Sequence, residues 1–142
     1  MAIAYARPLP VPDPDSQPFW DGCKEHELRA QRCSACGSFR WPPQAFCPEC
    51  YSWDFAWERL PETGSVYTFT VVHYVTVPSF QDEAPYAVAH ITMDGTDERV
   101  RIVSNVIGVP WEKVHVGMRV RVRFEDVTPE MTLPKFEPTE QG

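Results

Sequence analysis

The sequence lacks any apolar run approaching the roughly 20 residues that a membrane-spanning helix needs, and its mean hydropathy is −0.35. The expectation is a soluble globular chain without membrane contact. A signal peptide's apolar core is missing too, since residues 1–15 read MAIAYARPLPVPDPD. The expected compartment is therefore the cytoplasm, where cysteines stay reduced. A basic surplus is also absent: 13 Lys and Arg stand against 20 Asp and Glu, for a formal net charge of −7. This disfavours a general nucleic-acid binder, whose affinity rests on cation–phosphate contacts. There is no Ser or Cys in an elbow-like turn, no glycine-rich phosphate loop and no carboxylate pair in a recognisable context. His73 and His90 read as ordinary strand residues, and His26 and His115, in polar surroundings, as solvated ones. At 142 residues the chain suits one compact unit or two small sub-domains.

What is present is cysteine in a fixed pattern. Cys33-Ser34-Ala35-Cys36-Gly37 and Cys47-Pro48-Glu49-Cys50-Tyr51 form two Cys-x-x-Cys pairs with ten residues between them. Each pair aims two thiolates at one centre, and together they supply the corners of a tetrahedron, which is how a structural zinc site closes its shell. Gly37 falls where a knuckle turn often needs positive φ, and Pro48 fixes φ within the second pair. Disulfides are disfavoured in reducing surroundings, and two matched pairs in one short window argue for shared metal ligation over a dithiol redox site. The expected cofactor is one structural Zn2+ on Cys33, Cys36, Cys47 and Cys50. Iron stays open as a chemical alternative, because a four-sulfur tetrahedron suits both metals; an electron carrier would follow from it. Cys23 lies outside the spacing and reads as a small buried hydrophobe.

Along the chain, Pro8, Pro10, Pro12 and Pro14 make residues 1–15 an extended tail. Ser16 is placed to cap a short helix over 16–26, with Phe19, Trp20 and Cys23 on one face. Alternation from Glu27 to Cys33 sets Leu28 and Ala30 against Arg29 and Gln31, a strand entering the first knuckle. Ser38 to Trp41 is its hairpin mate, so 27–52 reads as a zinc ribbon too small to hold itself together without metal. Residues 53–59 read as a connecting strand. Then β-rich runs repeat over 64–77, 86–93, 99–106 and 118–125, with a helical turn near 110–114 and a last short strand near 130–136. The predicted fold class is mainly β, with a five-stranded OB-fold barrel over 53–136 and a C-terminal tail at 137–142. Pro78 to Pro85 is the longest irregular connection and a candidate contact loop.

Arg99, Arg101, Arg119, Arg121 and Arg123 occupy alternate positions on two predicted strands. If those strands are neighbours, the five guanidiniums share one face, either solvated and paired with acidic residues or a dock for phosphates or an acidic partner. Lys24, Arg29, Arg32 and Arg40 form a weaker basic cluster around the ribbon.

The run PFWDGCKEHELRAQRCSACGSFRWPPQAFCPEC, continued by GSVYTFTVVHYV, PYAVAHITMDG and SNVIG, resembles the acyl-CoA-associated OB-fold proteins with an N-terminal rubredoxin-like zinc ribbon, formerly a domain of unknown function. The similarity runs from about residue 16 to residue 136 and includes all four cysteines, Pro42-Pro43 and Thr132-Leu133-Pro134. The resemblance implies a subunit that is not catalytic alone. It implies docking on a thiolase or thiolase-like aldolase in a hetero-oligomer of two plus two chains, or beside a hotdog-fold enoyl-CoA hydratase, with a CoA thioester as ligand of the complex and steroid side-chain degradation among the settings. Of the family's residues only the four cysteines carry over; Phe19, Trp20, Arg32, Arg40, Trp41 and the five strand arginines are candidates for CoA or partner contact. A single-strand nucleic-acid-binding OB module is the reading from a different class.

Overall fold

The computed structural model describes residues 5–139. Residues 1–4 of the expected N-terminal tail and 140–142 of the expected C-terminal tail lie outside the described residues. Arg7 ties the proline-rich tail to the barrel. Arg7 donates from Nε to the Ser79 carbonyl (3.0 Å), pairs with Glu83 (2.8 Å) and sits over the Phe80 ring. It thereby holds the candidate loop at 78–85, which opens with a 3-10 turn at Pro78–Phe80.

Helix α1 spans Gln17–Lys24 and buries Phe19, Gly22 and Cys23. The expected cap differs in detail: the Ser16 side chain makes no cap bond, and Asp13 instead accepts from the Ser16 N–H at 2.8 Å. Gly22 is there for close approach, because the chain turns back at once and a Cβ would meet Arg29 and the Glu27 carbonyl at 2.9 Å. Cys23 is fully buried, and desolvation pushes its thiol up to about 12, as suits an inert core residue.

Strands β1 (Arg29–Cys33), β2 (Phe39–Arg40) and β3 (Phe55–Arg59) form an antiparallel sheet in the order β2-β1-β3. The sequence placed residues 53–59 at the head of the barrel. Pairing of Arg29 with Arg59 through Cys33 with Phe55 instead makes Phe55–Arg59 the third ribbon strand. Gln31, expected on the polar side, is buried because its Oε1 accepts from the Gln44 N–H at 2.9 Å and pins the loop before the second knuckle.

Strands β4 (Thr63–Val72), β5 (Tyr86–Met93), β6 (Arg101–Val106), β7 (Arg119–Asp126) and β8 (Thr132–Pro138) close a barrel in the order β4-β5-β6-β8-β7. The contact of β6 with β8 is parallel and the others are antiparallel. This is the five-stranded OB arrangement, with the helical turn at Trp111–Lys113 between β6 and β7. Gly64 pairs with Met93 on one side and Val120 on the other, at the point where β4 changes neighbours. A Cβ there would sit 2.5 Å from the Thr92 carbonyl oxygen. Val66, Ile91, Val100, Val120 and Phe136 fill the barrel, and their cluster runs on without a break into Phe19, Cys23, Leu28 and Phe39. β8 continues through Pro138, two residues beyond the expected end of the barrel.

Two polar latches fasten the layers. His26 is exposed, as its polar surroundings suggested, but has its Nε2 3.0 Å from Asp126 and stacks its ring on Phe124. Asp94 binds Arg119 and accepts from Thr63 Oγ1 at 2.6 Å. Arg119, and after it Thr63, hold the Asp94 carboxyl below the usual range, against some desolvation. A depressed carboxylate contributes stability above its unfolded pKa and loses it as pH falls through the folded value. Asp94→Asn is therefore expected to flatten the acid limb of a pH–Tm curve below about pH 4. The change at neutral pH should be about 1 kcal/mol or less, because the pair is more than a third exposed.

Candidate metal centre

The two Cys-x-x-Cys turns are the same turn built twice. The Gly37 N–H donates to the Cys33 carbonyl (3.0 Å) and the Tyr51 N–H to the Cys47 carbonyl (2.8 Å). The Cys33 N–H donates to Ser38 and the Cys47 N–H to Ser52, both at 2.8 Å. Gly37 and Tyr51 hold the equivalent left-handed position, at φ 80 and 64 degrees. Gly37 adopts it at no steric cost, whereas Tyr51 adopts it because the knuckle demands it.

The four Sγ atoms lie within 4.8 Å of one another. Cys33 and Cys50 sulfurs are 3.6 Å apart, and those of Cys36 and Cys47 are 3.7 Å apart. A tetrahedron with metal–sulfur bonds of about 2.3 Å has edges of about 3.8 Å, so the donor set fits a tetrahedral ion. All are free thiols, far beyond disulfide bonding distance. Backbone N–H groups favour the thiolate at one end of the cluster: that of Cys36, with that of Ala35 behind it, lowers the Cys33 thiol to about 6 against desolvation. At the other end the Ser52 backbone N–H favours the Cys50 thiolate, but desolvation and the neighbouring sulfurs outweigh it and push Cys50 up to about 12. Four thiolates complete the shell, so the centre organises structure and offers no position to a substrate.

Three of the sequence's candidate arginines attend this centre. Arg32 donates from Nε to the Gly37 carbonyl at 2.9 Å and sits over the Phe39 ring. Arg40 is only 1% exposed; it donates to the carbonyls of Gln44 (3.2 Å) and Ser52 (3.5 Å) and lies over the Phe55 ring. Arg99 reaches from the barrel to Glu49 in the second knuckle at 2.9 Å. Glu49 holds the Arg99 guanidinium above its ordinary value, with Cys36 adding to the effect, and Arg99 in turn lowers Glu49.

The remaining candidates lie elsewhere. Phe19 is buried, with Trp20 and Trp41 edge-on to it at 5.1 and 5.2 Å, wedging the helix against the ribbon. The strand arginines do not share one face through neighbouring strands, because β8 lies between β6 and β7 on one side and β4 with β5 on the other. Arg101 stacks on Tyr67, with 4.0 Å from Cζ to the ring centre. Arg119 is bound by Asp94, and Arg121 and Arg123 share Glu137.

Sequence reasoning passed over an aromatic trio at the second knuckle. Phe46, Tyr51 and Trp53 are exposed by 42%, 71% and 70%, with ring centres 6.4 Å (Phe46–Tyr51) and 5.8 Å (Phe46–Trp53) apart. Their signal was the flanking of Cys47 and Cys50 by aromatics in a ribbon with little core to fill.

A metal-clasped ribbon fused to a closed five-stranded barrel defines the molecule as a zinc-ribbon/OB-fold protein. The ChsH2 rubredoxin-like zinc ribbon domain model matches residues 20–56, and the ChsH2 C-terminal OB-fold domain model matches 57–125. The chain belongs to the ChsH2/DUF35 family. A DUF35 domain-containing scaffold protein of Methanocaldococcus jannaschii is 34% identical over 110 residues, covering 76% of this chain and 75% of that protein. A probable enoyl-CoA hydratase alpha subunit of Thermomonospora curvata is 36% identical over 132 residues, 93% of this chain. This chain spans 40% of that subunit's length. Among solved structures, a chain described as Ltp2-ChsH2(DUF35) aldolase superposes with a TM-score of 0.83 at 35% identity, over 93% of this chain and 100% of that one. A DUF35-family protein from Sulfolobus solfataricus, at 17% identity and a TM-score of 0.63, shares the fold.

Proposed function

We propose that this chain is a zinc-bearing accessory subunit of a cytoplasmic acyl-CoA-processing complex, docking on and stabilising a thiolase-fold aldolase or thiolase that breaks carbon–carbon bonds in acyl-CoA thioesters. The observation that carries the reading is the match, across the full length of that neighbour, to the chain described as Ltp2-ChsH2(DUF35) aldolase. The closed tetrathiolate supports it, because the metal stabilises the chain and leaves the chemistry to a partner. A steroid side chain as substrate rests on family likeness, as does assembly as two plus two chains. The exposed trio Phe46, Tyr51 and Trp53 is the docking anchor in this reading, since aromatics dominate interface energetics.

A second reading has a specific observation behind it. The hydratase alpha subunits of T. curvata and Mycobacterium tuberculosis match 93% and 89% of this chain. A hotdog-fold hydratase is then the partner.

Pull-down of the tagged chain from its host, with metal analysis of the eluate, tests both. The expected result is a thiolase-fold partner and about one zinc per chain. A hotdog-fold partner selects the second reading, and a zinc-loaded chain that retains only nucleic acid sinks both. Trp53→Ala is expected to weaken partner binding tenfold or more, the scale of an interface anchor, with the melting temperature unchanged. Full retention of the partner would remove the trio from the interface.

A further inference from the structure

We infer that the outer edge of β3 is a self-recognition surface, where two copies of this chain join their ribbon sheets antiparallel about a twofold axis through Trp57. The inference is independent of the accessory-subunit reading and adds a contact between two copies of the chain.

The edge follows from the way β3 bonds to β1. The Ser34 N–H donates to the Asp54 carbonyl (3.0 Å) and the Leu60 N–H to the Leu28 carbonyl (2.8 Å). With Arg32 opposite Ala56 and Ala30 opposite Glu58, the backbone groups of Asp54, Ala56, Glu58 and Leu60 all point at β1. Those of Phe55, Trp57 and Arg59 point the other way. They have no hydrogen-bond partner among the described residues, and no other strand there pairs with this side of β3. The sheet's other edge, β2, is two residues long and offers little to pair with. β3 has five residues, without proline or bulge. An edge of that kind is a template for a further strand.

The chain's own sequence is the complement this edge accepts. Antiparallel pairing through Trp57 sets Trp57 against Trp57, Phe55 against Arg59 and Ala56 against Glu58 across the axis. Phe55, Trp57 and Arg59 are the residues that bond outward, so their pairs exchange both backbone bonds. Trp57 gains an aromatic neighbour, and Arg59 an aromatic ring, both favourable across strands. No like charges stand opposite each other. The nearest registers with the same backbone pattern lose this: one sets Glu58 against Glu58, the other Glu58 against Asp54. Charge therefore selects the register centred on Trp57. The twofold contact is isologous and closes on itself, so it makes a dimer and not a fibre. A seam of this length lies at the small end of interfaces, and the dimer exchanges with monomer.

The test is analytical ultracentrifugation of the zinc-loaded full chain over a range of concentrations, with hydrogen exchange on the same samples. It compares wild type, Ala56→Glu and Ala56→Lys. Ala56 is exposed and its backbone bonds to β1, so both variants should fold normally, with unchanged melting curves as the control. In wild type the weight-average mass should rise from 16.3 kDa towards twice that value with concentration. The amides of Phe55, Trp57 and Arg59 should slow in exchange as it does. In the paired register position 56 faces Glu58 of the second copy, once on each side of the axis. Glu58 pairs with Arg32 at 3.1 Å but stays 46% exposed, so it feels a charge placed opposite. Ala56→Glu should weaken association about tenfold and Ala56→Lys strengthen it by a similar factor, both effects fading in high salt. A mass that stays at 16.3 kDa up to millimolar concentration overturns the proposal. So does a dimer whose edge amides stay unprotected, or one whose affinity the two variants move in the same direction or leave unchanged. Protection of the edge that appears only when the enzyme captured by pull-down is added assigns β3 to that enzyme and equally overturns self-pairing.

Discussion

Cys33→Ser is expected to lose the metal and unfold the ribbon while the barrel keeps most of its structure. Cys33 is both a ligand position and the last residue of β1, paired with Phe55 on β3, so its replacement strikes the knuckle and the sheet together. Structural zinc contributes roughly 10–16 kcal/mol in small metal-dependent domains, against a whole-domain stability of about 5–15 kcal/mol. The three-stranded ribbon sheet, one strand of which has two residues, has no comparable reserve. The barrel closes on its own hydrogen bonds around Val66, Ile91, Val120 and Phe136 and has one. Hydrogen exchange on the purified variant should show protection lost over 29–59 and retained on β5 and β7, with zinc per chain near zero. Chelation of the wild-type protein should reproduce the pattern. Retained protection over the ribbon, or loss throughout, would each refute the division; the second would mean that the shared cluster through Phe19, Leu28 and Phe39 makes the two parts fold as one.

Those alternatives arise from the part of the fold that was least legible in the sequence. Strand existence was readable because β5 and β7 alternate cleanly: Ala87, Ala89, Ile91 and Met93 face in, as do Val120 and Val122. The four ligands were readable because their spacing alone defines a tetrahedron. What escaped was long-range pairing. Nothing local in WDFAWER says that it will pair with β1 rather than open the barrel; that is settled only when Cys33 and Phe55 meet. Gln31 looked like a surface residue because its partner, the Gln44 N–H, is 13 positions away. The arginines illustrate the same limit. Period two correctly put Arg119, Arg121 and Arg123 on the outside, but their partners Asp94 and Glu137 come from the turn after β5 and from β8, and β6 and β7 turn out not to be neighbours. Arg99 was read as part of that patch because its clasp on Glu49 joins residues 50 positions apart.

Arg40→Met is expected to weaken zinc binding by about a hundredfold or more, although Met matches the stem in shape and Arg40 touches no ligand sulfur by hydrogen bond. The guanidinium is buried, has no carboxylate partner among the described residues, and leaves Nε without any hydrogen-bond acceptor. An unmade bond on a buried polar group costs about 1–3 kcal/mol, and a buried cation without a counter-charge costs several more. Such a group persists where something else compensates it. A divalent ion held by four thiolates carries a net charge of −2, and Arg40 is tied directly to its frame: the Ser52 carbonyl that accepts from Arg40 also accepts from the Cys47 N–H. The anionic centre is therefore expected to serve as Arg40's counter-ion and Arg40 as one of the centre's. Breaking a buried charge pair by deleting one partner costs about 3–5 kcal/mol, and about 1.4 kcal/mol is a factor of ten in affinity. Competition against a chromophoric zinc chelator reads the effect. Arg40→Lys keeps the charge but loses the fork that reaches Gln44 and Ser52, so it should fall between wild type and Arg40→Met. Equal zinc affinity in all three proteins would show that neither the charge nor the carbonyl bonds of Arg40 support the centre; Arg40→Lys behaving like Arg40→Met would show that the fork matters and the charge does not.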